Sequence, residues 1–276
     1  MPLLWYGKSG PCMTLLLKAF SDQLDNLNQN GLAWKAGEER MHSQVFCLCC
    51  CADAPARASM QNVGQYNGYF GCSWCYHPGE LVEETAKYPV DAGPSPDRTE
   101  EEMLDDMRKA AQKDSIVRGV KGSSPLINLQ GSDIVWSLSP DHMHCVLLRV
   151  SRQFTELWLS CPGEPHYIGD PKKLALIDSK LFSIRPPQCF NRLSRSLVFR
   201  KLWKAAEWQH WLLFYSLPCL RDVLSAAFLE HWALLVTGIF HLLKDDVTPE
   251  GIALATQTLV QFVVQMQFLC TKVAMM

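Results

Sequence analysis

The sequence predicts an α/β amino-terminal portion followed by a mainly α-helical carboxy-terminal half. Three observations carry this. A helix-period segment leads to a short apolar run, residues 45–51, that closes just before an aspartate. An acidic, proline-containing stretch then separates the two parts of the chain. Beyond it, apolar residues recur at helical spacing in five successive segments. With 276 residues, 48% of them hydrophobic, the chain is able to bury a sizeable core as one large domain or two smaller ones.

Residues 13–27 (MTLLLKAFSDQLDNL) repeat apolar side chains at helical spacing, and the polar 28–31, ending in Gly31, stops them. After a polar loop, residues 45–51 form a buried strand that delivers Asp53 at its carboxyl end. Pro55 then sits in the first turn of a helix running through Ala58 and Met60. Residues 65–79 gather glycines around Cys72-Ser73-Trp74-Cys75, a knuckle by composition. Residues 80–106 are acidic and carry Pro89, Pro94 and Pro96, which predicts a solvated linker running into an amphipathic helix at 101–112. Helices are expected at 142–159, 174–182, 199–217, 220–243 and 248–270. In the last, Gln257, Gln261 and Gln265 fall at i, i+4 and i+8, a polar stripe on a helix expected to be mostly buried. The expected division is a first domain at 1–90, a linker and helix at 91–120, and a helical domain at 121–276.

A formal charge of −2 supplies no global attraction to polyanions, so any nucleic-acid contact requires a local basic patch. The start, Met1-Pro2-Leu3-Leu4, lacks a basic region and a long apolar region, so no signal peptide is expected and the twelve cysteines should be reduced. Cys47, Cys49, Cys50 and Cys51 crowd one run, where strand neighbours point to opposite faces; they read as small buried hydrophobes. His210, Pro218, Glu230, His231 and His241 interrupt the apolar stretches 208–220 and 229–243, so neither is expected to span a membrane.

Two-metal phosphoryl transfer needs several carboxylates converging from different elements. An aspartate at a strand end is one way to present such a ligand, and a helix N-cap before Ala54-Pro55 is the other reading of Asp53. Cys72 and Cys75 make half of a tetrahedral zinc site, or two buried thiols in a glycine-rich turn. His77 is too close to Cys75 to be a comfortable ligand. Asp141 and His144 are either a donor pair or a helix cap and a core histidine. Glu156 is expected to pair with Arg152 and Glu207 with Lys204, both at helical spacing. From 180 to 204 the chain carries Lys180, Arg185, Arg192, Arg195, Arg200, Lys201 and Lys204, no acidic residue, and Phe182, Phe190, Phe199 and Trp203 between them. Such a strip either holds phosphates and stacks on bases or is the solvated face of a packed helix.

Residues 52–58 (ADAPARA) and 66–80 (YNGYFGCSWCYHPGE) resemble the second-aspartate block of En/Spm-like (CACTA) DDE transposases and their animal relatives. Residues 4–9 (LWYGKS) resemble the segment just after that family's first catalytic strands. Residues 120–126 (VKGSSPL), 140–148 (PDHMHCVLL), 203–208 (WKAAEW) and 213–218 (LFYSLP) are similar to its helical insertion. The resemblance implies a partial ribonuclease-H-like core, with Asp53 as the second carboxylate for Mg2+ or Mn2+ and Cys72 and Cys75 as half of a structural Zn2+ site. It implies DNA, namely transposon ends, as partner, with a possible homo-oligomer and a nuclear location. It further implies a first aspartate upstream of residues 4–9, and an H-x3-H and a glutamate beyond 273–276. The chain is thus expected to be an internal fragment, inactive as a nuclease and strand transferase. His142, Arg149 and Cys270 depart from the family pattern. A non-enzymatic DNA- or protein-binding module is the alternative expectation, with the strip's Arg185, Arg192, Arg195, Arg200, Lys201 and Lys204 as DNA contacts.

Overall fold

The computed structural model describes residues 5–82, 84–90, 95–188, 190 and 192–269. Leu4, Pro94, Cys270 and 273–276, which entered the sequence reading, lie outside the described residues. The chain divides into two compact units, Met1–Asp141 and His142–Met276. The first mixes helices with short strands, and the second is helical.

In the first unit, α1 (Met13–Asn30) runs three residues past its expected end and buries Leu17, Ser21 and Asn28. The polar loop after it is a hairpin of β1 (Leu32–Ala36) and β2 (Glu39–Ser43), antiparallel, with Leu32 opposite Ser43 and every residue exposed. No core face lies under it, so its sequence carries no apolar alternation. The strand expected at 45–51 is corrected: only β3 (Cys50–Ala52) pairs, parallel to β6 (Leu138–Pro140), with Cys50 opposite Leu138. An apolar run does not supply a pairing partner, and the partner strand here is three residues long. α2 (Ala54–Gln61) follows, with Pro55 in its first turn and Asn62 in the left-handed conformation at its end.

The segment expected to be a solvated linker contains a second hairpin, β4 (Glu80–Val82) against β5 (Thr85–Lys87). It also contains Arg98, which is 1% exposed. α3 (Glu100–Lys113) opens on Thr99, whose hydroxyl accepts the Glu102 N–H. Glu100, Glu101 and Glu102 in its first turn and Lys113 in its last suit the helix dipole. It buries Met103 and Met107 with Val120, Ile134 and Val135 in the unit's core.

In the second unit, π-helical residues Met143–Ser151 lead into α4 (Arg152–Ser160). α5 (Pro171–Ser183) is capped by Asp170, which accepts the N–H groups of Lys172 and Lys173. The single helix expected at 199–217 is a series of pieces: a 3-10 turn at Leu197–Leu202, α6 (Ala205–His210), π-helical Trp211–Tyr215 and α7 (Ser216–Leu220). Trp203 and Lys204 are extended, because the Glu207 carboxylate reaches back to the Lys204 N–H and starts a new helix there. α8 (Ala226–Leu242) and α9 (Pro249–Leu269) close the unit as a helical hairpin. Trp158, Trp208, Trp211 and Trp232 are each 1% exposed or less and form the centre of the core.

The expectation that the last helix is mostly buried is corrected. α9 buries Ala255, Thr258, Phe262 and Met266, while Ile252, Leu254, Val260, Val263 and Phe268 are exposed. A helix loses to solvent whatever face its neighbours leave uncovered, and a sequence apolar all round does not say which face that is. By length and composition α9 is able to cross a membrane, with 22% of its most apolar stretch buried.

Candidate metal knuckle and nucleic-acid interface

Asp53 stands where β3 ends and α2 begins, so the strand-end and cap readings describe one residue. Its Oδ1 accepts the Ala56 N–H at 2.8 Å. The parallel register that sets Ala52 opposite Pro140 puts Asp141 at the same end of the neighbouring strand, and the Asp141 N–H donates to the Ala52 carbonyl at 3.1 Å. The sequence reading treated Asp141 separately from Asp53; strand pairing sets them side by side. Arg57, one turn into α2, is buried, donates from Nε to Ser73 Oγ at 3.2 Å and stacks over Trp74 at 4.3 Å. It thereby ties the aspartate's helix to the Cys72 to Cys75 turn.

Cys72 and Cys75 share one turn, in which Cys72 Sγ accepts the Trp74 N–H at 3.4 Å and the Cys72 thiol acts on that of Cys75. Burial, above all, pushes the Cys75 thiol above its ordinary range. The turn is built around Arg98. Its Nε donates to the carbonyls of Cys72 and Cys75, each at 3.1 Å, and its Nη2 to those of Phe70 at 3.1 Å and Arg118 at 3.0 Å. The guanidinium also lies 4.5 Å from the centre of the Tyr76 ring. Arg118 approaches the same ring to 3.9 Å and forms a two-pronged pair with the buried Asp106, at 2.9 and 3.0 Å. Gly119 completes the turn at φ +84°, where a Cβ would come within 2.7 Å of the Phe70 carbonyl oxygen.

Burial lowers the Arg98 pKa, against Tyr76, Cys72, Asp106 and Cys75, which raise it. Arg98 escaped the sequence reading, since an arginine in an acidic, proline-rich segment carries no signal of burial.

The fit to metal is incomplete. Zinc takes four ligands, and the knuckle brings together two. His77 does not add a third: Nδ1 accepts the Gly79 N–H and Nε2 meets the Pro89 carbonyl, both at 2.9 Å. Among the described residues no group of three or more His, Cys, Asp or Glu side chains is placed to hold an ion.

The basic strip separates into two kinds of residue. Arg195 donates to both carboxylate oxygens of Glu207, at 2.6 and 2.7 Å, and Arg200 pairs with Glu156 at 2.7 Å. The expected pairings of Glu156 with Arg152 and of Glu207 with the Lys204 side chain are thus corrected, because tertiary packing supplies stronger partners than helical spacing. Burial alone would raise the Glu207 pKa, yet hydrogen bonds from Arg195 and the Lys204 N–H bring it below its ordinary value. Arg185, Arg192, Lys201 and Lys204 are exposed. Of the interleaved aromatics, Phe182 and Phe199 are 59% and 56% exposed. Phe190 stacks on His210 at 4.2 Å, and Trp203 is buried edge-on to Trp208 and Trp211. No family model, curated protein or solved structure matches the chain.

Proposed function

We propose that this chain is a non-catalytic nucleic-acid-binding module, derived from a DDE transposase, that holds single-stranded DNA along residues 182–204. The observation that carries it is the set of exposed cations Arg185, Arg192, Lys201 and Lys204 beside exposed Phe182 and Phe199. Cations neutralise phosphates and release counterions, and every base offers a face for an aromatic ring to stack on. In this reading the ancestral enzyme had a ribonuclease-H-like core whose strand-end carboxylates included Asp53 and held Mg2+ or Mn2+. Cys72 and Cys75 are the remaining half of its structural Zn2+ site. The partner is nuclear DNA, and homo-oligomers are compatible with this mode of binding.

The test is fluorescence anisotropy with a labelled single-stranded 20-mer over a range of salt. Four phosphate contacts give a slope of log Kobs against log salt of about −2.8. Replacing Arg185, Arg192, Lys201 and Lys204 together by serine should flatten that slope and abolish saturable binding at physiological salt. Arg195 and Arg200 are unsuitable probes, since neutralising them strands Glu207 and Glu156 without their partners. Binding that is indifferent to salt or to the fourfold variant would sink the proposal. Mg2+- or Mn2+-dependent DNA cleavage abolished by Asp53→Asn would overturn its non-catalytic part.

A further inference from the structure

The first unit encloses a cavity of about 300 Å3, partly open to solvent and bounded by α1, the extended segment before β3, α2 and the chain around 126–138. Leu17, Phe20, Met60, Leu126, Ile134 and Leu138 are among the apolar side chains of its wall. Leu17, Leu126, Ile134 and Leu138 are buried, so that wall is preformed by the core itself. Two of the polar residues at its edge, Asp133 and Ser137, are tied to the local backbone. Asp133 Oδ1 accepts the N–H groups of Val135 at 2.7 Å and Trp136 at 3.0 Å, and Ser137 Oγ accepts the Asp133 N–H at 2.9 Å. Three cysteines, Cys47, Cys49 and Cys50, also line it. Burial, the largest cause, pushes the Cys47 and Cys50 thiols above their ordinary range, so both remain neutral at pH 7 and behave as small apolar surfaces.

We propose that this cavity binds a compact, uncharged and predominantly apolar small molecule, held by shape and burial without an ionic anchor. An engineered apolar cavity of roughly 150 Å3 takes up benzene, so twice that volume admits a molecule of two fused or linked rings. An anionic ligand would find no cation in the lining, and the lining's one carboxylate, Asp133, already accepts two backbone N–H groups through Oδ1. The inference is independent of nucleic-acid binding, since the strip at 182–204 belongs to the other unit.

The probe is 6-propionyl-2-(dimethylamino)naphthalene, a neutral fluorophore of two fused rings that brightens and shifts to the blue when it leaves water. The full chain should give a saturable, one-to-one rise in its fluorescence. Leu16→Trp, which fills the cavity from the half-exposed face of α1, should weaken binding by at least roughly tenfold, the factor expected for about two buried methylenes lost. The exposed side of α9 is a competing site for any apolar probe, and Val263→Glu there should leave binding unchanged. Site-resolved alkylation gives a readout that needs no variant: bound probe should slow N-ethylmaleimide labelling of Cys47 and Cys50 and spare the exposed Cys12 and Cys145. If Leu16→Trp fails to fold, Met60→Trp fills the cavity from α2. No saturable fluorescence, or binding with unprotected Cys47 and Cys50 thiols, overturns the proposal.

Discussion

The Arg98 guanidinium donates to the carbonyls of Phe70, Cys72, Cys75 and Arg118 while lying over Tyr76. A planar fork reaches four acceptors at fixed angles; an ammonium has three donors on one point and cannot. Arg98→Lys should therefore destabilise the first unit by about 3 kcal/mol, the scale of charged hydrogen bonds lost with buried carbonyls left unpaired. Urea unfolding measures this, and faster thiol labelling of Cys72 and Cys75 should accompany it. A loss below about 1 kcal/mol would show that the turn holds its shape without the fork. Asp53 illustrates the opposite case. Its place before Ala54-Pro55 was legible, and the structure gives it both the strand-end and cap positions. What no local pattern revealed is that Asp141, 88 residues later, occupies the same end of the paired strand.

Among the elements, the α8 and α9 hairpin shows how a single missing side chain sets a spacing. Gly238 lies near the carboxyl end of α8, and a Cβ there would come within 2.6 Å of Leu259 Cγ and 2.8 Å of its Cδ2. Since Leu259 Cγ is the branch point of its side chain and not a free end, even Gly238→Ala requires Leu259 to shift, at a cost of about 1 kcal/mol. Gly238→Val, with two more methyl groups, should cost about 2 kcal/mol by overpacking and shift the near-ultraviolet circular dichroism of the buried tryptophans. Equal melting temperatures for the valine variant and the parent would contradict that close approach. The existence of these helices was readable from the 3.6-residue period. Their breaks were not: the interruption at Trp203 and Lys204 depends on Glu207 turning back to cap a new helix and on Arg195 neutralising it.

At the scale of the whole molecule, pH acts chiefly on the second unit. Burial, the largest cause for each, lowers the pKa values of His166, His210 and His231, partly offset by Glu164, Glu207 and a hydrogen bond to the Phe262 carbonyl respectively. In the unfolded chain these imidazoles titrate near the ordinary value of about 6.5. Below it the unfolded chain binds protons that the folded unit refuses, so stability is complete above about pH 6.5 and falls as pH drops toward the folded values. Glu207 works in a lower window. Its folded pKa is depressed, so its contribution is present above the unfolded carboxyl value of about 4.3 and is lost only beneath it. Urea midpoints followed by tryptophan fluorescence should decrease from pH 7.5 to 5.5, and less so in His231→Phe. A midpoint constant across that interval would refute the lowered pKa values of the three histidines.

The sequence by itself determined an α/β part followed by a helical part, the approximate helices, the C-x2-C turn and the basic strip. These are local properties: periodicity, turn chemistry and charge are written in neighbouring residues. Tertiary structure alone decided which strand pairs with β3, that Arg98 is enclosed by carbonyls, that Arg195 and Arg200 are held by carboxylates, and that α9 leaves an apolar face uncovered. Each depends on a partner far away along the chain, and burial is a property of what packs against a residue rather than of the residue itself.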